Sequence, residues 1–367
     1  MNQNVKIAII GCGRISGHHC RSIVETDGVE LVAVCDLDIE KAKAYQKDFG
    51  AKAYDNYHQM LIENKDINTV AIVTPSGMHY EHSLDIISKY QKNIIVEKPT
   101  FMRPSQVKEV YDAAAKAGVK IFAVFQNRHN LAVQRVLLGL QKGELGKLRS
   151  ANVRVRWCRP QRYYDLAPWR GTYSMDGGCL TNQGIHHIDL LKLLCGQVKR
   201  VISIHKTLGA DIEVEDTATA ILEFESGAIG SLEITTAARP IDFEASLSLV
   251  CENGLAQIGG IAVNELQIYS PDPTACESNS EDFSGNVYGN GHAKIYEEIA
   301  QTFKGNREFP VTFEDTFSTI QLLNAFYIAD ERDEWVDVKT ANDSARLGRE
   351  NEKIANLYRT KLPSVMS

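Results

Sequence analysis

Three stretches of the sequence carry residue types whose spacing could do chemistry. In Asn182-Gln183-Gly184-Ile185-His186-His187-Ile188-Asp189, an amide, an imidazole and a carboxylate recur at i, i+4 and i+7. On one continuous helix that spacing places Asn182, His186 and Asp189 on a single face. An imidazole in such a place can take a hydroxyl proton near neutral pH, because its ordinary pKa lies there. Asn182 can hold a hydroxyl but cannot act as a base. Metal ligation is the competing reading, but adjacent histidines diverge on a helix and His186 with Asp189 supplies only two ligands, so no metal is expected. His187 then reads as a packing or domain-contact residue.

The second stretch is Glu97-Lys98-Pro99, which closes the apolar run KNIIV. A lysine at the carboxyl end of a parallel strand stands where ligands meet such sheets; the bland reading is a surface lysine ending a strand. The third is Gly11-Cys12-Gly13-Arg14-Ile15-Ser16-Gly17, between a strand and a helix. One glycine there makes a tight turn and the next lets backbone amides approach a pyrophosphate at the helix N-terminus. Ser16 holds the third small position, with Gly17 one residue late. Asp36 ends the next strand 25 positions after Gly11, close to the spacing of an acid that binds ribose hydroxyls. A carboxylate repels a 2′-phosphate, so the cofactor expected is NAD, with Arg14 and Lys41 leaving an opening for NADP.

The elements that must position these groups fall into two patterns. VKIAII, ELVAVCD, NTVAIVTP, KNIIVEKP and VKIFAVF are short, near-continuous apolar runs, as in parallel strands buried on both faces. Helical stretches at 39–49, 79–91 and 104–117 separate them, the last bracketed by Pro104 and Gly118. Repeated βαβ units predict an α/β fold with a doubly wound, Rossmann-type sheet. After residue 130 a helix leads into the alternating strand KLRSANVRVRWC. Longer strand candidates follow, RVISIHKT, TATAILEF, AIGSLEITT, FEASLSLV and ELQIYS, with Ser226-Gly227 and Asn253-Gly254 as hairpin turns. That predicts a second, α+β domain with an open, largely antiparallel sheet. The domains expected are 1–126 for dinucleotide binding and 127–367 for substrate binding and oligomerisation. The charged tail after about residue 340 reads as a surface helix or an arm.

Bulk properties narrow the partners. A chain of 367 residues is long for one core. A net charge of −7 disfavours nucleic acid and anionic membranes as partners. No apolar segment at the start has the form of a leader or a span, and the eight cysteines include no C-x-x-C pair. A cytoplasmic protein with reduced thiols is expected.

GCGRISGHH, Thr74-Pro75-Ser76-Gly77-Met78-His79, Glu97-Lys98-Pro99, Trp169-Arg170 and the glycine-led NQGIHHID helix occur in this order along the whole chain. Together they resemble the glucose–fructose oxidoreductase / inositol dehydrogenase / MocA (Gfo/Idh/MocA) family. The resemblance implies catalytic roles for Lys98, beside the carbon to be oxidised, and for His186. It implies an NAD site built from Gly11, Cys12, Gly13, Arg14, Ile15, Asp36, Thr74, Pro75, Ser76, His79, Glu97, Lys98 and Gln126. Trp169 and Arg170 would reach the cofactor from the second domain. Asn182 departs from the family's commoner aspartate, which puts more of the proton transfer on His186.

RPQRYYDLAPWRGTYSMDGGCLTNQGIHHIDLL, with NVYGNGHAKIYEEI further on, is similar to the branch that oxidises carbon 3 of UDP-N-acetylglucosaminuronic acid for surface polysaccharides such as lipopolysaccharide O-antigen. That likeness implies a nucleotide-sugar substrate, tightly held NAD and, in some members, 2-oxoglutarate as hydride acceptor. Arginine forks suit diphosphate and carboxylate oxygens and aromatic faces suit sugar or uracil. Arg159, Arg162, Tyr163 and Tyr164 are therefore candidate substrate residues beside Lys98, Asn182, His186 and Asp189. Arg154 and Arg156 alternate along a strand and read as its exposed face, and His292 is a further candidate for substrate contact. The alternatives are a dehydrogenase of a free polyol or another sugar, inositol included, and a non-catalytic NAD- or sugar-sensing regulator on the same fold. Family resemblance also implies a homo-oligomer, a dimer or tetramer packed through the open sheet.

Overall fold

The computed structural model describes residues 4–283 and 289–363. The first strands, β1 (Val5–Ile10), β2 (Val29–Cys35), β3 (Lys52–Tyr54), β4 (Thr69–Ile72), β5 (Asn93–Val96) and β6 (Ile121–Ala123), form one sheet of order β3-β2-β1-β4-β5-β6. All of its pairs are parallel. All four residues of β4 are buried, three of them apolar in a row, which is why the strands read as unbroken hydrophobic runs and not as alternating ones. Five helices make the crossovers: α1 (Ser16–Glu25), α2 (Ile39–Phe49), α3 (Tyr57–Glu63), α4 (His79–Tyr90) and α5 (Pro104–Ala117). The expected helix bounds hold closely because their ends are chemically marked. Asp38 accepts the Glu40 amide at the start of α2, and Gly50 and Gly118 end α2 and α5 in the left-handed conformation. The strand order reverses at β1 and β4, so the loops after these two strands flank the switch point where such sheets bind ligands.

The second sheet follows α6 (Leu131–Gln141). Strand β7 (Leu148–Arg156) leads through two short helices, α7 (Gln161–Tyr164) and α8 (Cys179–Asn182), to α9 (Ile185–Cys195). Then come β8 (Val198–Lys206), β9 (Thr217–Phe224), β10 (Ile229–Thr235), β11 (Glu244–Cys251), β12 (Leu255–Gly259), β13 (Glu265–Tyr269) and the short α10 (Ala275–Ser278). The order is β13-β12-β11-β7-β10-β9-β8, antiparallel except for β7 with β10. Strict alternation of buried and open positions, clearest in β7 and β9, gives this sheet one covered and one open face. Helices α6 and α9 pack together, and α9 lies on β7 and β11.

The rest of the chain is shared out. Helix α11 (Gly291–Phe303) and α12 (Phe313–Arg332) are followed by β14 (Val336–Asp337), which pairs with the free edge of β8, and by α13 (Glu352–Ala355). The compact units are the chain up to Val124 with His292–Thr316 and the segment from Glu350 on, and Phe125–Gly291 with Phe317–Arg349. A break near 126 was expected, but the assignment of all of 127–367 to one domain is corrected. Helix α11 puts Ile295, Tyr296, Ile299 and Ala300 into the core of the first unit, beside Ile23 and Phe122. The tail is an arm on that same unit, where Arg359 pairs with Glu81 and the Lys361 carbonyl accepts from Asn56. Among the described residues no helix is long and apolar enough to cross a membrane.

Candidate active site

In the first unit, Gly11 has φ of +96° and runs so close to the next strand that a Cβ would lie 2.5 Å from the Val73 carbonyl oxygen. No other residue type makes that turn without strain. Ser16, standing where the motif ordinarily has its third glycine, locks the loop: its hydroxyl donates to Gly11 O at 2.6 Å and accepts Gly13 N at 3.1 Å. Tyr45 donates to Gly13 O from α2 at 2.8 Å. No side chain caps α1, and no acid lies in its first turn, so its N-terminal end, at Arg14 and Ile15, suits an anion. Asp36 is aimed by the same loop, with Oδ2 accepting Cys12 N at 2.8 Å and Oδ1 accepting Asp38 N at 2.9 Å. Each oxygen keeps a lone pair for a hydroxyl donor. A cradle that a Cβ would fill, a bare helix start and an oriented carboxylate fit a dinucleotide.

The turns after β4 and β5 carry the next candidates. Thr74, Pro75 and Ser76 form the first, and Lys98, half-buried, leaves the second ahead of a cis Lys98–Pro99 peptide. His79 does not face a ligand. Its Nδ1 is 2.8 Å from Pro99 O and its Nε2 is 2.9 Å from Thr74 O, so the ring joins the two turns to each other. Glu97 also turns inward: Oε1 receives His19 Nε2 at 2.9 Å and His292 Nε2 at 3.3 Å. Burial alone would raise its pKa, but these hydrogen bonds hold the carboxyl well below the usual carboxylate range. The placing of His79 and Glu97 in the cofactor site is thus corrected, because both side chains are spent on the protein. His292, a candidate for substrate contact, is likewise drawn to Glu97.

In the second unit the expected single helix is two. Gly184 N bonds Cys179 O, five residues back, at 2.8 Å, and this wide turn separates α8 from α9. Asn182 ends the first and His186 begins the second. The glycines of the motif answer to packing: a Cβ on Gly178 would lie 2.0 Å from the Glu215 carboxylate, and one on Gly184 would lie 2.4 Å from Ile234. Helix α9 is buried on nearly every side, so its polar residues must find partners within the protein. His186, 6% exposed, meets Gln126, whose Nε2 is 3.0 Å from His186 Nε2. With the amide nitrogen donating, His186 Nε2 is unprotonated and accepts, so its lone pair is engaged by Gln126 in this structure. Asp189 is not turned to a ligand. Both oxygens take a forked bond from Arg128, at 2.7 and 2.6 Å, and Thr319 adds a third donor at 3.0 Å. His187 is fully buried with its ring edge-on to Trp157, and burial pulls its pKa down to about 4.

Asp176 was missed. One of its oxygens accepts the Asn182 amide and the other accepts Gly171 N at 2.8 Å, tying the Trp169-Arg170 loop to α8. The aspartate opening the D-G-G run was the available signal. Around that loop, the Arg170 guanidinium lies 4.3 Å from the Tyr163 ring centroid and 4.5 Å from that of Trp169, and donates to the Tyr163 hydroxyl at 2.5 Å. Arg159 lies over the rings of Trp157 and Tyr163 and pairs with Asp242 at 2.8 Å. Arg162 is exposed. Tyr164 is corrected: it is 7% exposed, and its hydroxyl bonds Thr236 at 3.0 Å, inside the fold. Arg154 and Arg156 pair with Glu244 and Glu233 along the open sheet face. Asn286, Val287 and Tyr288 of the later motif lie outside the described residues.

Two family models match the chain: the NAD-binding Rossmann fold of the oxidoreductase family over residues 5–125, and the GFO/IDH/MocA C-terminal domain over 133–257. The chain belongs to the Gfo/Idh/MocA oxidoreductases. Its N-terminal sheet is therefore the NAD-binding domain of a sugar-dehydrogenase family. A crystal structure of the WlbA dehydrogenase from Bordetella pertussis, in complex with NADH and UDP-GlcNAcA, is 32% identical with a TM-score of 0.86, over 91% of this chain and 98% of that one. The WlbA dehydrogenase from Chromobacterium violaceum, in complex with the same two ligands, is 34% identical with a TM-score of 0.83, over 91% and 96%. Among curated Gfo/Idh/MocA relatives, D-glucoside 3-dehydrogenase of Escherichia coli is 30% identical over 64% of this chain and 70% of its own length. Myo-inositol 2-dehydrogenase of Thermotoga maritima is 25% identical over 62% and 68%.

Proposed function

We propose that the protein is an NAD-dependent dehydrogenase that oxidises the carbon-3 hydroxyl of UDP-N-acetylglucosaminuronic acid to the 3-keto sugar, in a cytoplasmic step of surface-polysaccharide synthesis. The observation that carries this reading is the 32% and 34% identity to the two WlbA dehydrogenases across 91% of the chain. Structures of the gentamicin-pathway enzyme GenD2 and of levoglucosan dehydrogenase share 20% at similar coverage, which speaks for the fold alone. The loop from Arg159 to Arg170 supports it, since guanidinium forks and stacked rings suit a diphosphate, a carboxylate and a uracil.

In the reaction His186 takes the proton of the carbon-3 hydroxyl on Nε2, which exchanges its hydrogen bond from Gln126 for the substrate hydroxyl. Lys98 holds the same hydroxyl oxygen and aids the proton's departure. Asn182, oriented by Asp176, holds a neighbouring hydroxyl. Gly11–Ile15 and Asp36 would hold the pyrophosphate and ribose, and Trp169 and Arg170 are the residues of the second unit proposed to contact the cofactor. When bound, the nicotinamide supplies the hydride acceptor. What the side chains add is orientation, which contributes up to about 7–11 kcal/mol when reacting atoms are held at near-contact distance. 2-Oxoglutarate would take the hydride back from the cofactor, when bound, and leave as 2-hydroxyglutarate.

A second reading, oxidation of carbon 3 of a free glycoside, is favoured by the 30% identity to D-glucoside 3-dehydrogenase. Mass spectrometry after incubation with NAD, 2-oxoglutarate and either UDP-N-acetylglucosaminuronic acid or methyl glucoside decides between them. Loss of two hydrogens at carbon 3 of the nucleotide sugar is expected. An unchanged nucleotide sugar beside an oxidised glucoside overturns the first reading in favour of the second.

A further inference from the structure

Glu97 is 4% exposed yet anionic, and its neighbours are arranged to keep it so. His19, on α1, puts Nε2 at 2.9 Å from Oε1; His292, on α11, puts Nε2 at 3.3 Å from the same oxygen. Oε2 accepts the backbone amide of Lys98 at 3.0 Å. Behind His19 stands the buried Tyr296, whose hydroxyl is 2.7 Å from His19 Nδ1. These contacts decide the tautomers. A lone pair on either Nε2 would repel the carboxylate, so both imidazoles carry hydrogen on Nε2. For His292, burial and the nearby positive charge of Lys98 push the pKa down, which agrees with a neutral ring. The groups facing it are Glu97 and Lys98 from the turn and His18 and His19 from α1, the two rings lying 6.2 and 4.8 Å away centroid to centroid.

A charged residue at this spot is costly to bury, and an apolar one would bury more easily. What the carboxylate adds is direction: three donors fix both of its oxygens, and the third donor is the lysine's own amide. We infer that His19, Glu97, His292 and Tyr296 form a positioning network for Lys98, in which two Nε2–H imidazoles hold the Glu97 carboxylate and the carboxylate holds the turn from which Lys98 extends. The inference rests on the role given to Lys98 above. None of the four touches substrate; each acts through the lysine.

Protein labelled with 15N-histidine, observed by long-range 1H–15N correlation at pH 8, tests the tautomers independently of turnover. His19→Gln and His292→Gln assign the two signals, and both rings are expected as Nε2–H. In the reaction, Glu97→Gln and His292→Leu are expected to lower kcat at least tenfold, with KM for the sugar and the affinity for NADH within about threefold. His292→Gln, which keeps an N–H donor of similar reach, is expected to recover most of the rate. Nδ1–H tautomers, or one equivalent of zinc surviving dialysis against EDTA, would overturn the network, because lone pairs would then face Glu97. The three ligand atoms lie within 4.8 Å of one another, close enough for such an ion. Full rates in folded Glu97→Gln and His292→Leu, beside a dead Lys98→Ala, would sink the inference alone. A full-rate Lys98→Ala would sink the role of the lysine as well.

Discussion

Residues of the same type take opposite parts in this protein, and the partners decide which. His186 Nε2 accepts from an amide nitrogen and is in the unprotonated state of a base, whereas His79 lies between two carbonyl oxygens and His187 is sealed against Trp157. Replacing His186 with Asn is therefore expected to lower kcat by roughly 10²–10⁴-fold, the range of a lost general base, while NADH fluorescence shows the cofactor still bound. Normal turnover in that variant would remove His186 from the chemistry. Asp189 makes a contrasting prediction. Its loss leaves the Arg128 guanidinium buried without its counter-charge, so Asp189→Ala should unfold in urea with about 3–5 kcal/mol less stability. A variant of normal stability with a raised KM would instead return Asp189 to the substrate.

At the scale of elements, the segment from Asp176 to Gly184 is shaped by close approach more than by chemistry. A methyl group on Gly178 would overlap the Glu215 carboxylate, which lies on a neighbouring segment. Gly178→Ala is expected to cost about 1–3 kcal/mol, the usual range for overpacking, visible as a lower Tm. Glu215 is fully buried, accepts from Tyr327 at 2.8 Å and from Leu180 N at 3.2 Å, and has an Oε2 with no hydrogen-bond partner among the described residues. Burial pushes its pKa up to about 7. Between the ordinary carboxylate range and that value the native state holds a proton that the unfolded chain has released. The stabilising contribution is thus full at about pH 4 and is lost as the pH rises through 7, by about 3 kcal/mol in all. Unfolding in urea at pH 5.5 and 8.5 should show about 2 kcal/mol of this loss in the wild type and none in Glu215→Gln. An equal loss in both proteins would clear Glu215 of responsibility.

At the scale of the whole molecule, the open face of the second sheet carries Ile204, Ile221 and Ile229, each more than half exposed, among paired charges such as Arg156–Glu233. Apolar side chains on a face of that kind are the usual mark of an interface, and a homo-oligomer is expected in solution. Light scattering after size exclusion should give a dimer or tetramer, and Ile204→Glu with Ile221→Glu should dissociate it. A monomeric wild type at micromolar concentration would end that expectation.

The parallel sheet, the glycine turn, Asp36 and the placing of Lys98 after a strand were legible in the residues alone, because each depends on neighbours within a few tens of positions. Buried strands need unbroken apolar runs, and a tight turn over a phosphate needs glycine. Helix bounds were legible for the same local reason. What spacing could not show was which polar side chains the fold would consume. Asn182, His186 and Asp189 follow helical spacing, yet the wide turn at Gly184 and the forked bond from Arg128, 61 positions away from Asp189, give each of them a different task. Glu97 meets His19 across 78 positions and His292 across 195. Nor could the pattern announce that α11 returns to the first core, since its apolar stripe fits any core. Local preference selects the elements; the need to satisfy every buried charge and donor is met only once distant segments have packed, and that need assigns Asp189, His79 and Glu97 to the frame of the protein and sets the Gln126 amide against His186 Nε2.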